Sequence, residues 1–156
     1  MIDHDDANMR RALALAQAAA DDEEAPIGAI IVDPATGEVI AQARNAPIAR
    51  HDPTAHAEIL AIREAAQRLG NYRLTGLTLY VTLEPCPMCA GAISQARLGR
   101  VVYGAHDPKG GGVAHGARVF DQPTCHWRPE VQAGLLATES AELLRRFFRA
   151  RRKPKA

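Results

Sequence analysis

Aromatic residues are scarce in this chain, at one Trp, three Tyr and three Phe in 156 residues, so its core must be aliphatic. No uninterrupted apolar run approaches the roughly 20 residues that a membrane helix needs. The first residues, Met1 to Arg11, are acidic and lack a basic start followed by an apolar stretch, so they do not read as a secretory signal, and a cytoplasmic location is expected. Cysteine is limited to three, an odd number, and two of them lie in Cys86-Pro87-Met88-Cys89. In a reducing compartment that spacing points to metal or redox chemistry before structural disulfides.

What is present has the balance of a soluble globular protein, 47% hydrophobic and 24% charged, and the length of one domain spanning 1–156. The formal net charge of +1 hides an asymmetry. Asp3, Asp5, Asp6, Asp21, Asp22, Glu23 and Glu24 acidify the first part, whereas Arg145, Arg146, Arg149, Arg151, Arg152, Lys153 and Lys155 crowd the end. That basic cluster is either an RNA-contacting patch or a solvated helix face with a basic tail.

Met9, Leu13, Ala16 and Ala20 recur at helical spacing. Ile27 to Val32 and Val39 to Ala41 are apolar runs on either side of the turn cluster Asp33-Pro34-Ala35-Thr36-Gly37, which reads as a hairpin. A second helix is expected from about Ala55 to Leu69, closed by Gly70-Asn71. Leu77, Leu79, Val81 and Leu83 alternate with Thr78, Tyr80 and Thr82, the clearest strand signal, and Pro87 suits the first position of a helix that follows at once. Val101 to Tyr103 is another strand, and 105–123, rich in Gly and Pro, is a long loop of the kind that is usually functional or mobile. A last helix is expected from about Thr138, as N-cap, to near Lys153, where Pro154 stops it. Strands alternating with helices predict a three-layer α/β domain with helices on both faces of the sheet.

The chemistry lies in two of these helix starts. Cys86 and Cys89 would share one face near the helix's positive end, which favours thiolate, the metal-binding form. His56 and Glu58 sit in the first turn of the earlier helix, and if the two helices lie side by side their starts converge. One imidazole and two thiolates supply three ligands for tetrahedral zinc and leave the fourth position to water, the arrangement of a catalytic site. Two thiolates cancel the formal charge of zinc and leave its water less acidified, so a base is needed. Glu58 can take that proton and hand it to a ring nitrogen and a departing amine, as hydrolytic deamination requires. Singly the two halves are common, since a Cys-x-x-Cys also builds zinc knuckles and redox pairs. Together, His56-Ala57-Glu58 followed by Pro85-Cys86-Pro87-Met88-Cys89 matches the zinc deaminase signature.

With these motifs the chain resembles the bacterial tRNA-specific adenosine deaminases, within the cytidine deaminase superfamily. The resemblance runs from about Pro26 to Arg152 and is densest in the stretches Arg50 to Glu58 and Tyr80 to Cys86. It implies a five-stranded mixed sheet flanked by helices, a homodimer, one zinc per subunit, and conversion of adenosine to inosine at the wobble position in a tRNA anticodon stem-loop. It makes His56, Cys86 and Cys89 the ligands and Glu58 the proton shuttle. Asn45 becomes a hydrogen-bond partner of the flipped nucleoside, the backbone of Ala57 a contact to the base, and Asp107 a residue facing the RNA. On residue type alone Asn45 is equally a turn residue.

The pattern also departs from the family. Arg44 stands where an aromatic commonly precedes the Asn, His106 where Arg is common, and Val113 to Trp127 is unlike the stretch that borders the substrate opening. Within it, Cys125 reads as a buried structural cysteine in a strand, pointing away from His126. Trp127 reads as packing or as a surface on which RNA stacks. A free nucleobase, nucleoside or nucleotide of guanine or cytosine type is the alternative substrate, and a non-catalytic RNA-binding zinc domain is a third possibility that the presence of Glu58 disfavours.

Overall fold

The computed structural model describes residues 2–151; Arg152, Lys153 and Lys155 of the basic cluster and Pro154, the expected helix stop, lie outside the described residues. Four helices, α1 (Ile2–Asp21), α2 (Ala57–Leu69), α3 (Pro87–Ala96) and α4 (Ala137–Arg151), surround five strands, β1 (Gly28–Val32), β2 (Val39–Arg44), β3 (Thr78–Leu83), β4 (Arg100–Ala105) and β5 (Glu130–Gln132). The strands lie in the order β2-β1-β3-β4-β5. β1 pairs antiparallel with β2 and β3, whereas β3, β4 and β5 run parallel, so the sheet is mixed as expected.

The β1–β2 connection is the expected hairpin, its turn held by the Ala35 N–H on Asp33 Oδ1 (2.9 Å) and the Gly37 N–H on the Asp33 carbonyl (2.8 Å). On one face of the sheet, Ala29, Ile31, Leu79, Val81, Val101 and Tyr103 pack with Ala57, Ala61 and Ala65 of α2 and Ala90, Ile93 and Ala96 of α3. Small residues on both helices let them lie close to the sheet. On the other face, Ile30, Val32, Tyr80 and Val102 meet Met9 and Ala12 of α1, with α4 packed beside α1 over β4. Gly28 is the crossing point, because a Cβ there would overlap the Ala12 carbonyl.

Two expectations shift. The buried stripe of α1 is Asp5, Met9, Ala12, Ala16 and Ala19, while Leu13 and Ala20 are half-buried, since the helix begins seven residues earlier and is turned by its contact at Gly28. α4 starts at Ala137, so Thr138 lies in its first turn and not at its cap.

The alternating strand β3 is central, and its polar residues are buried too. Thr82 Oγ1 accepts the Gly28 N–H (3.2 Å), and the Tyr80 hydroxyl donates to Asp5 Oδ1 (2.6 Å). Arg100 completes this cluster with two bonds to Asp5, of 2.9 and 2.7 Å, that tie α1 to β4. The Arg100 guanidinium, ahead of opposing burial and the Tyr80 hydroxyl, holds the Asp5 carboxyl below its ordinary 3.8. A depressed carboxyl stabilises the fold fully above its unfolded pKa, and that stability is lost as pH falls through the folded value. Asp5→Asn should therefore cost about 2 kcal/mol at pH 7 and give a flatter dependence of unfolding midpoint on pH below about 4, measured by urea titration.

Candidate metal centre and active site

The two helix starts converge. His56, extended at φ −72° and ψ 152°, is the N-cap of α2, and Cys86, at φ −71° and ψ 171°, is the N-cap of α3, with Pro87 following in the first turn. Because Cys89 lies one turn into α3, both thiols face His56, whose Nδ1 is 3.6 Å from Cys86 Sγ and 3.4 Å from Cys89 Sγ. Glu58 is buried in the first turn of α2. Asn45, immediately after β2, positions this turn by accepting the Ala57 N–H on Oδ1 (2.7 Å) while its own N–H bonds the Ile27 carbonyl (3.0 Å).

The electrostatics fit a cation. The Cys89 thiol donating to Cys86, opposed by burial and aided by His56, brings Cys86 down to about 4. Cys89 is pushed up by that neighbouring thiolate and by burial, and His56 is raised by the same thiolate. Burial first, and the charge of Cys86 among the lesser causes, lifts the Glu58 carboxyl to about 7. A divalent ion at this point would bind the deprotonated thiols and the neutral imidazole and release their protons. For tetrahedral zinc with bonds of about 2.0–2.1 Å to nitrogen and 2.3 Å to sulfur, ligand nitrogen and sulfur stand about 3.6 Å apart, close to both observed separations. The donor set therefore fits zinc.

Asp107 is not brought into this constellation. Its Oδ1 accepts the Gly110 N–H (3.0 Å), turning the side chain into its own loop. Arg44, the departure before Asn45, pairs with Asp22 at 2.6 Å. Cys125 is half-buried against α3, donating to the Trp127 carbonyl (3.1 Å) and lying 3.5 Å from Ser94 Oγ. It precedes β5 and is not in a strand, so the alternation argument fails here, although the packing role fits. Trp127 packs likewise, its Nε1 donating to the Leu98 carbonyl (2.8 Å) beneath the Arg97 guanidinium. A groove of about 940 Å³ beside β2 and α2, carrying Arg44, Arg50, Arg63 and Arg68, includes none of the four zinc-signature side chains.

Besides Asp5, two buried carboxylates, Glu24 and Glu84, lie outside the zinc signature. Glu24 accepts the Ile48 and Ala49 N–H groups (3.2 and 2.8 Å) and so braces the loop after Asn45. Glu84, with no exposed side-chain surface, braces the loop after β4. The available signal for Glu84 was its place in the stretch Tyr80 to Cys86, directly after β3, which points to a role but not to burial; Glu24 had no such signal.

The MafB19-like deaminase family matches residues 2–152. Over 144 residues the chain is 55% identical to the tRNA-specific adenosine deaminase of Agrobacterium fabrum, covering 92% of this chain and 93% of that one. The chain belongs to the tRNA-specific adenosine deaminase family. Within this family, a solved structure from a study of A-to-I editing by tRNA deaminases at the wobble position superposes with a TM-score of 0.85 at 54% identity, covering 88% of this chain and 98% of that chain. The guanine deaminase of Bacillus subtilis is more distant, at 34% identity and a TM-score of 0.63 over 96% of this chain and 95% of that one. The family's zinc-deaminase fold, a five-stranded mixed sheet between helices, is the one seen here.

Proposed function

We propose that this protein hydrolyses adenosine to inosine at the wobble position of a tRNA anticodon, with His56, Cys86 and Cys89 holding one zinc per subunit and Glu58 moving the protons. The observation that carries the chemistry is a buried carboxyl beside three donor atoms gathered at two helix starts. The tRNA substrate is supported by the higher identity to the tRNA-specific relative, 55% against 34% for the guanine deaminase.

When bound, zinc supplies Lewis-acid activation of a water molecule. Glu58, buried beside the three donor atoms, would take the two protons of that water in succession, passing one to a purine ring nitrogen and the other to the departing amine. Water and adenosine thereby yield inosine and ammonia. Asn45 offers its side-chain amide to the nucleoside. Any backbone contact at Ala57 is made without its N–H, which Asn45 engages. Asp107 meets the RNA from the neighbouring loop. The reading takes the chain as one deaminase domain working as a cytoplasmic homodimer, and sedimentation tests the dimer. No helix among the described residues is long and apolar enough to cross a membrane.

Incubating zinc-loaded protein with an anticodon stem-loop, adenosine, guanine and cytosine, and assaying inosine and ammonia, tests the reading. Inosine is expected in the stem-loop. Faster ammonia release from free guanine or cytosine would overturn the substrate, and binding of the stem-loop with no ammonia from any substrate would overturn the activity.

The exposed face of α4 adds a further test. Arg151 is engaged, bonding the Glu23 carbonyl and lying 4.3 Å from the Phe147 ring centre, whereas Arg146 and Arg149 are exposed. Replacing Arg146 and Arg149 by alanine should shallow the slope of log affinity for tRNA against log salt by roughly 0.7–0.9 for each phosphate that is no longer neutralised, with zinc content unchanged. An unchanged slope would leave this face merely solvated.

A further inference from the structure

Glu84 follows β3, its N–H donating to the Ala105 carbonyl (2.8 Å) so that the β3–β4 pairing continues by one residue. Its carboxylate is enclosed by the loop that returns from β4. Oε1 accepts the Asp107 N–H (3.0 Å) and lies 2.7 Å from His115 Nδ1, while Oε2 accepts the N–H groups of Val113, Ala114 and His115 (3.2, 3.0 and 3.1 Å). Three successive backbone N–H groups on one oxygen form an anion-binding nest, and here the anion belongs to the chain itself.

Glu84, His106 and His115 bring their donor atoms within 4.8 Å of one another, as a metal site would. A carboxylate offers about four lone-pair positions, and five nitrogens already surround this one. It has no position left for a cation, so the cluster works as a clamp.

The clamp is built for close approach. A Cβ on Gly111 would overlap the Glu84 carboxylate, and one on Gly112 would overlap Pro87. The Gly112 N–H bonds the Pro85 carbonyl at 2.8 Å, so the loop lies directly on the segment that carries Cys86. Among the described residues, Glu84 makes no hydrogen bond to His56, Glu58, Cys86 or Cys89.

We infer that Glu84 is a positioning residue whose carboxylate fixes the 107–115 loop against the start of α3, and through that loop governs how tightly an RNA hairpin engages, without touching substrate or metal. The substrate half rests on the function proposed above; the clamp does not. His115, which supplies this arm of the clamp, belongs to the stretch 113–127 that departs from the family pattern.

Glu84→Gln keeps the shape but turns an NH2 group toward loop N–H donors. In the zinc-loaded protein, KM for an anticodon stem-loop should rise at least about tenfold, with kcat and zinc content within about twofold of wild type. Amides of 107–115 should exchange with deuterium at least about tenfold faster, with those of β3 unchanged. His115→Ala, which removes one half-exposed arm, should give the same pattern at about threefold and decides the matter if Glu84→Gln does not fold. Unchanged exchange in 107–115, a fall in kcat at constant KM, or loss of zinc would each overturn the inference. If the wild type makes no inosine in the stem-loop, the proposed function falls and the RNA half of this inference with it, while the exchange measurement still decides the clamp.

Discussion

Glu58→Gln is expected to fold normally, hold one zinc per chain, and turn over about three orders of magnitude more slowly than the wild type. The amide has nearly the same volume, so the buried site at the start of α2 is not emptied, and the three donor atoms proposed to hold zinc belong to other residues. What is lost is the capacity to accept a proton and give it back. Metal analysis together with inosine formation checks this, and residual activity above about a tenth of wild type would remove Glu58 from the proton path. Because Glu58 titrates near neutrality only while burial opposes its charge, a cation at His56, Cys86 and Cys89 pulls its pKa downward. The acid limb of the holoenzyme's pH profile should therefore lie below 7 and disappear in Glu58→Gln.

Cys86→Ala and Cys89→Ala should lose the metal and much of the stability that it lends. Free energy of metal binding is partly free energy of folding, so either variant should melt roughly 10 °C below the zinc-loaded wild type. The two should separate once zinc is removed by a chelator. Cys89 is fully buried, so its truncation leaves a cavity, whereas Cys86 is half-exposed at the cap of α3, and Cys89→Ala should be the less stable apoprotein. Cys125→Ser is the control, with zinc content unchanged because its thiol bonds the Trp127 carbonyl far along the chain from both helix starts. Full zinc occupancy in Cys86→Ala or Cys89→Ala would show that the ligand set is wrong.

Much of this site was legible because its logic is local. A cysteine at a helix cap and another three residues on must share a face, and Pro87 announces where that helix begins. The same holds for His56 and Glu58 at the start of α2 and for the closure at Gly70. The hairpin was legible through Asp33 and Gly37, whose turn chemistry does not depend on the rest of the fold. Expectations slipped where distant residues intervened. The stripe of α1 moved because a glycine in β1 selects which turn of the helix can approach, and Cys125 lay outside a strand because β5 is only three residues long.

The residue pattern by itself determined the donor set, one imidazole and two thiols at helix starts with a carboxyl beside them, since spacing along a helix fixes the direction of each donor. Tertiary structure alone decided that the two helix starts meet, that Asn45 braces one of them, and that Glu84 is buried under a loop. A carboxylate in a sequence carries no mark of burial, because its environment is set by backbone N–H groups that every residue but proline possesses and that only the folded chain gathers around it.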